Sequence, residues 1–88
     1  MNQLKHIYEI FPKVLYVVDR TANLSWKLDD HMSFYNLMLI YDGKAEFTRN
    51  NNTIQASSGY LLFYKPGDIR KAHTFSENSM KCFGIDFL

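Results

Sequence analysis

Asn36 and Arg70 are the side chains whose type and setting point most directly to chemistry. Asn36 is the one strongly polar member of the run Phe34-Tyr35-Asn36-Leu37-Met38-Leu39-Ile40-Tyr41. An amide in so apolar a run costs free energy unless it is hydrogen-bonded. It therefore serves either as a satisfied core amide or as a group that orients a polar ligand. Strand alternation would put Phe34, Met38 and Ile40 on the same face. Arg70 follows the turn Lys65-Pro66-Gly67-Asp68. Inside a barrel its guanidinium needs a carboxylate, a ligand anion or water, and Asp29 and Asp86 are the expected internal partners. Unpaired, its forked donors suit a carboxylate, a phosphate or a sugar hydroxyl.

The other reactive residue types offer less. Trp26 reads as a core plug or a sugar-stacking platform. His31 is a turn-end histidine, open to solvent or donating to a ligand. His73 has the strand parity opposite to Arg70 and belongs outside or at a rim, and His6 faces water. Nothing near Cys82 in sequence would lower its pKa, so an inert, partly buried thiol is expected. Asp68 reads as turn chemistry.

The elements that must position these residues are strands. Residues 1–12 form a short amphipathic helix or arm, with Leu4, Ile7, Tyr8 and Phe11 at helical spacing and Pro12 as its end. Strands are expected at 14–18, 24–28, 34–41, 44–49, 53–56, 60–64, 69–75 and 80–88. Between them lie turns at Asp42-Gly43, Asn50-Asn51-Asn52, Ser57-Ser58-Gly59 and Lys65-Pro66-Gly67-Asp68. Short strands at this even spacing mean an all-β sandwich or barrel. In the last strand Phe83, Ile85 and Phe87 share one face, and Cys82, Gly84 and Asp86 the other.

Eighty-eight residues make one domain at most, and a chain 47% hydrophobic and 22% charged is globular rather than disordered. A formal net charge of +1 argues against binding duplex DNA unaided. With a single cysteine and no secretory leader, the expected location is cytoplasmic. No apolar run approaches the roughly 20 residues of a membrane span, and no membrane partner is expected. The chain stops on Phe87-Leu88 inside an apolar strand, which reads as a cut within a longer protein.

The stretch from Gly43 to Phe75 resembles the cupin fold, a small jelly-roll barrel (double-stranded β-helix). It looks more narrowly like the N-terminal sensor domain of AraC-type transcription regulators. The likeness rests on Phe34-Tyr35-Asn36-Leu37 leading to Gly43, on Gly59 through Asp68 with its Pro66-Gly67, and on Gly84-Ile85-Asp86-Phe87. It implies an arm at 1–12 and a cupin-like barrel, possibly incomplete, at 13–88.

Metal-binding members of such a family would place two His and one Glu before the first Gly turn and one His after the Pro-Gly turn. By this resemblance the Glu position is Asn36, the paired His positions fall on Asp29 and His31, and the last His position is Arg70. Arginine has no lone pair to donate and its charge would repel a metal ion, so no metal, cofactor or catalytic residue is expected. The implied role is effector sensing. Trp26, His31, Asn36, Met38 and Arg70 would hold a small polar molecule such as a sugar or organic acid. DNA would be reached only through an absent C-terminal helix-turn-helix domain, and a homodimer is implied by analogy. The alternatives are a small cupin enzyme, such as an isomerase or dioxygenase, and a stand-alone structural cupin.

Overall fold

The computed structural model describes residues 13–88, so the expected helix or arm at 1–12 lies outside the described residues. Seven strands follow in order: β1 (Val14–Ala22), β2 (Lys27–His31), β3 (Tyr35–Arg49), β4 (Asn52–Ser57), β5 (Leu61–Tyr64), β6 (Ile69–Thr74) and β7 (Met80–Phe87). All pairings are antiparallel. The sheet curls on itself, its first half running β1-β7-β3-β5 and its second β2-β6-β3-β4. The all-β expectation holds. No helix among the described residues is long and apolar enough to cross a membrane.

The two halves share β3, and this overturns one expectation. Asp42-Gly43 is not a hairpin turn; β3 runs through it for 15 residues. The ladder to β7 slips between Ile40 and Asp42, and Gly43 sits at φ 74° opposite Met80. A glycine at positive φ serves a bulge as well as a turn, and the sequence signal is the same for both. Long-range pairing decides between them. Residues 35–43 pair with β7 and residues 44–49 with β4, so the strand bends here from one half to the other. A Cβ on Gly43 would collide with the Ser79 carbonyl.

The second strand also moves. Leu24 and Ser25 form a turn closed by the Trp26 amide donating to the Asn23 carbonyl at 3.0 Å, and β2 starts at Lys27. Pairing with β6, from Lys27 opposite His73 to His31 opposite Ile69, sets this register. The turns at Asn50, Gly59 and Gly67 stand where expected, each with positive φ.

Ile40, Phe47, Met80 and Cys82 are fully buried, with Met38, Leu62 and the small Ala45, Ala56 and Ala72 around them. Burying a side chain the size of Ile or Phe contributes about 2 kcal/mol. The alanines leave space on the second half for Trp26, whose ring lies 6.1 Å from that of Phe47.

One end is tied by Asp68. Its carboxylate accepts from the Lys65 amide at 2.9 Å and from Asn50 Nδ2 at 3.3 Å, while its carbonyl accepts from the Met32 amide at 2.8 Å. The Lys65 amide, helped by Asn50, holds the Asp68 carboxyl below its ordinary value against the opposing effect of burial. This confirms Asp68 as a turn residue.

Gly43→Ala is expected to lose about 3 kcal/mol in denaturant unfolding, combining positive-φ strain with the Ser79 clash. A depressed carboxyl pKa stabilises fully above the unfolded value and is lost as pH falls through the folded one. The melting temperature of Asp68→Asn should therefore lie below wild type at pH 7. The gap should close as pH drops below about 4.

Candidate functional site

The inner faces of β1, β3, β6 and β7 line a partly open cavity of about 60 Å³. Alternation from β1 supplies Tyr16, Val18 and Arg20, and β3 supplies Asn36 and Met38. β6 adds Arg70, β7 adds Cys82 and Asp86, and Trp26 and Leu28 close the side toward β2. Four of the expected ligand-contacting residues, Trp26, Asn36, Met38 and Arg70, thus meet at one place. His31 does not join them. It is exposed at the end of edge strand β2, on the face opposite Leu28 and Asp30.

Arg70 is buried, 7% exposed, and is fully engaged on one side. Its Nε donates to Asp30 Oδ1 at 2.8 Å and its Nη2 to Asp30 Oδ2 at 2.7 Å. Asp30 stands directly opposite Arg70 in the β2–β6 ladder. The expected partners were Asp29 and Asp86, and neither is correct. Starting β2 at Lys27 leaves Asp29 exposed and turns Asp30 inward, whereas Asp86 is occupied elsewhere. The guanidinium carbon lies 5.6 Å from the Tyr64 ring centroid. Burial pushes the Tyr64 phenol up to about 12, against the opposing pull of the Arg70 and Arg49 charges, so it stays neutral. Tyr64 donates to the Thr48 carbonyl at 3.3 Å.

Asn36 faces Asp86 across the β3–β7 ladder and donates from Nδ2 to Asp86 Oδ1 at 2.7 Å. A carboxylate only accepts, so this contact turns the amide with its nitrogen toward Asp86. Asn36 Oδ1 is then buried with no hydrogen-bond partner among the described residues. Burial raises the Cys82 thiol pKa, only partly offset by the Arg20 charge, and keeps it protonated. That matches an inert thiol. His73 is exposed, as parity required, and its Nε2 lies 3.3 Å from Glu46 Oε1.

Asp30, Arg20, Tyr16 and Tyr64 were not singled out from the sequence. Alternation in Tyr16-Val17-Val18-Asp19-Arg20 could have shown that Tyr16 and Arg20 share a face, but not that this face is the inner one. The Asp30 signal was hidden by the register of β2.

The donor set does not fit a divalent metal. Around the cavity stand one guanidinium paired to Asp30, a second cation, a protonated thiol and a carboxylate taken by Asn36. Imidazole, the ligand such a site most needs, is absent from its lining among the described residues, and guanidinium groups would repel the ion. No three His, Cys, Asp or Glu side chains cluster for metal binding among the described residues.

No family model matches the sequence, and the comparison with curated proteins found no match. The fold does have solved counterparts. A cupin 2 conserved barrel domain protein from Salinispora arenicola superposes with TM-score 0.68 at 12% identity, covering 77% of this chain and 58% of its own. The polyketide cyclase RemF from Streptomyces resistomycificus gives 0.75 at 8% identity, covering 85% of this chain and 55% of its own. A predicted oxalate decarboxylase from Thermotoga maritima gives 0.76 at 12% identity, covering 100% of this chain and 74% of its own. This chain thus spans little more than half the length of the first two. These likenesses show the cupin fold.

Breaking the Arg70–Asp30 pair from one side leaves a buried cation unpartnered. Asp30→Ala should lower unfolding free energy by about 2 kcal/mol, less than for a fully buried pair because Asp30 is partly exposed. The double variant Asp30→Leu with Arg70→Met should recover most of that loss in the same measurement.

Proposed function

We propose that this cupin-fold chain is a non-catalytic binding module that takes a small polar molecule into its inner cavity. We further propose that it serves as the effector-sensing domain of an AraC-type transcription regulator. The observation that carries the first reading is the buried, unpartnered Asn36 Oδ1 beside that cavity. A buried acceptor without a donor costs about 1–3 kcal/mol, and a ligand or water hydroxyl that donates to it recovers this. Arg20 lines the same space, and the Asp30 pair does not use Arg70 Nη1, so cationic donors accompany the acceptor. One acceptor flanked by guanidinium donors suits a hydroxy acid.

Size narrows the class. A cavity of about 60 Å³ holds a few waters or a molecule of few heavy atoms, well below the roughly 300 Å³ where drug-sized sites begin. This favours a small organic acid over a sugar. The AraC-type reading rests on the resemblance around Gly59-to-Asp68 together with a cupin barrel whose lining suits holding more than turnover. Its DNA contacts would come from another domain.

A second reading, a small cupin enzyme, is favoured by the polyketide cyclase and the predicted oxalate decarboxylase among the fold's counterparts. It would need an acid–base pair or a metal recruited differently from the residues described above.

Titration of the chain with lactate, malate, oxalate and arabinose, followed by amide NMR shifts, tests the binding reading. Saturable shifts at residues around Asn36 are expected with a hydroxy acid, and Asn36→Leu should weaken binding at least about tenfold. No saturable shift at 10 mM of any of them would overturn it. Conversion of any of these compounds in the presence of iron, manganese or zinc, read by mass spectrometry, would establish the enzyme instead. In fluorescence anisotropy the 88-residue chain should show no nanomolar, sequence-specific DNA binding.

A further inference from the structure

A second recess lies between β4 and β5, edge strands that each pair only with β3 among the described residues. It is a half-open cleft of about 200 Å³ and shares no lining residue with the cavity around Asn36. Buried Phe47, Leu62 and Tyr64 line it together with the more exposed Ile54 and Phe63. The two spaces are neighbours, since the Phe47 ring lies 6.1 Å from that of Trp26 and Tyr64 faces Arg70.

Register gives this cleft a cationic end. Phe47 stands opposite Ile54 in the β3–β4 ladder, and the next pair on the same face is Arg49 opposite Asn52. Arg49 and Asn52 both line the cleft. Arg49 also stands directly opposite Arg70 in the β3–β6 ladder, and like charges so placed repel. Asp30 takes up the Arg70 charge through two hydrogen bonds, whereas Arg49 makes no ion pair among the described residues. Asp68 is near enough to feel the Arg49 charge, but its two oxygens are held by Asn50 and the Lys65 amide.

We infer that this cleft is a second binding site, separate from the one around Asn36, and that it takes a small aromatic monocarboxylate. The ring would lie among Phe47, Phe63 and Tyr64, with the carboxylate on Arg49. An apolar cavity of about 150 Å³ holds benzene, so a slightly larger one admits a ring with a short acidic arm. Aromatic walls favour a ring through offset and edge-on contacts. A forked guanidinium–carboxylate contact fixes its direction and offsets the repulsion between Arg49 and Arg70. A small hydroxy acid would leave Ile54 and Leu62 uncovered, and a neutral ring would leave the Arg49 charge uncompensated.

Phenylacetate titrated into the chain and followed by amide NMR tests this, with phenylacetamide as its uncharged twin. Saturable shifts at Ile54 and Phe63 are expected, with a dissociation constant below about 1 mM. Phenylacetamide should bind at least about tenfold more weakly, a comparison that needs no variant. Arg49→Gln should weaken phenylacetate binding to a similar degree with an unchanged circular dichroism spectrum, and Arg49→Lys should restore part of the loss. Asn36→Leu should leave binding within about twofold, so this site and the hydroxy-acid site stand or fall separately. The inference is overturned by the absence of saturable shifts at about 10 mM phenylacetate. Equal binding of phenylacetamide would also sink it, as would shifts centred on Asn36 that vanish in Asn36→Leu.

Discussion

A strand of 15 residues can belong to two facing halves of a curled sheet only if it bends without losing its ladder, and Gly43 is where β3 does so. The slipped pairing between Ile40 and Asp42 supplies the extra residue, and the missing Cβ lets the backbone lie against Ser79. Everything inside the barrel is placed from this pivot. Before it, Asn36, Met38 and Ile40 face inward from the first half; after it, Ala45 and Phe47 do so from the second. Straightening β3 would separate the polar end of the cavity from the aromatic plug opposite it.

The polar groups in that interior are held in cross-strand pairs rather than in one network. Arg70 and Asp30 are directly opposed in β6 and β2, and Asn36 and Asp86 in β3 and β7. Each pair satisfies a group whose burial would otherwise be costly, and each leaves something over. The first leaves guanidinium donors, the second an amide oxygen without a donor. Directly opposed pairs rely on sheet register alone, which makes them precise but intolerant of a one-residue slip.

The first half is unusual in having two apolar faces. Its inner face builds the core, while its outer face carries the Tyr35 stack and the groove beside it. A strand apolar on both sides reads as covered on both sides, and Phe34 to Tyr41 has that pattern in sequence. The barrel interior covers one side of it. On the other, Tyr35, Leu39 and Tyr41 are exposed.

Much of this was legible without coordinates because it is local. Alternation in Cys82-Phe83-Gly84-Ile85-Asp86-Phe87 separates the two faces, and Asn50, Gly59 and Gly67 announce turns because few other residues accept positive φ. The inward set of Asn36 and Met38 followed from the same period of two. What the sequence could not decide was which chain segment lies opposite which. Gly43 looks the same in a hairpin as in a bulge, and Asp29 competes equally with Asp30 until β2 is paired with β6. Local steric preference determines where the chain can bend and which side chains share a face. Only hydrogen bonding between strands distant in sequence determines which face is inside, which carboxylate reaches Arg70 and which amide oxygen is left without a partner.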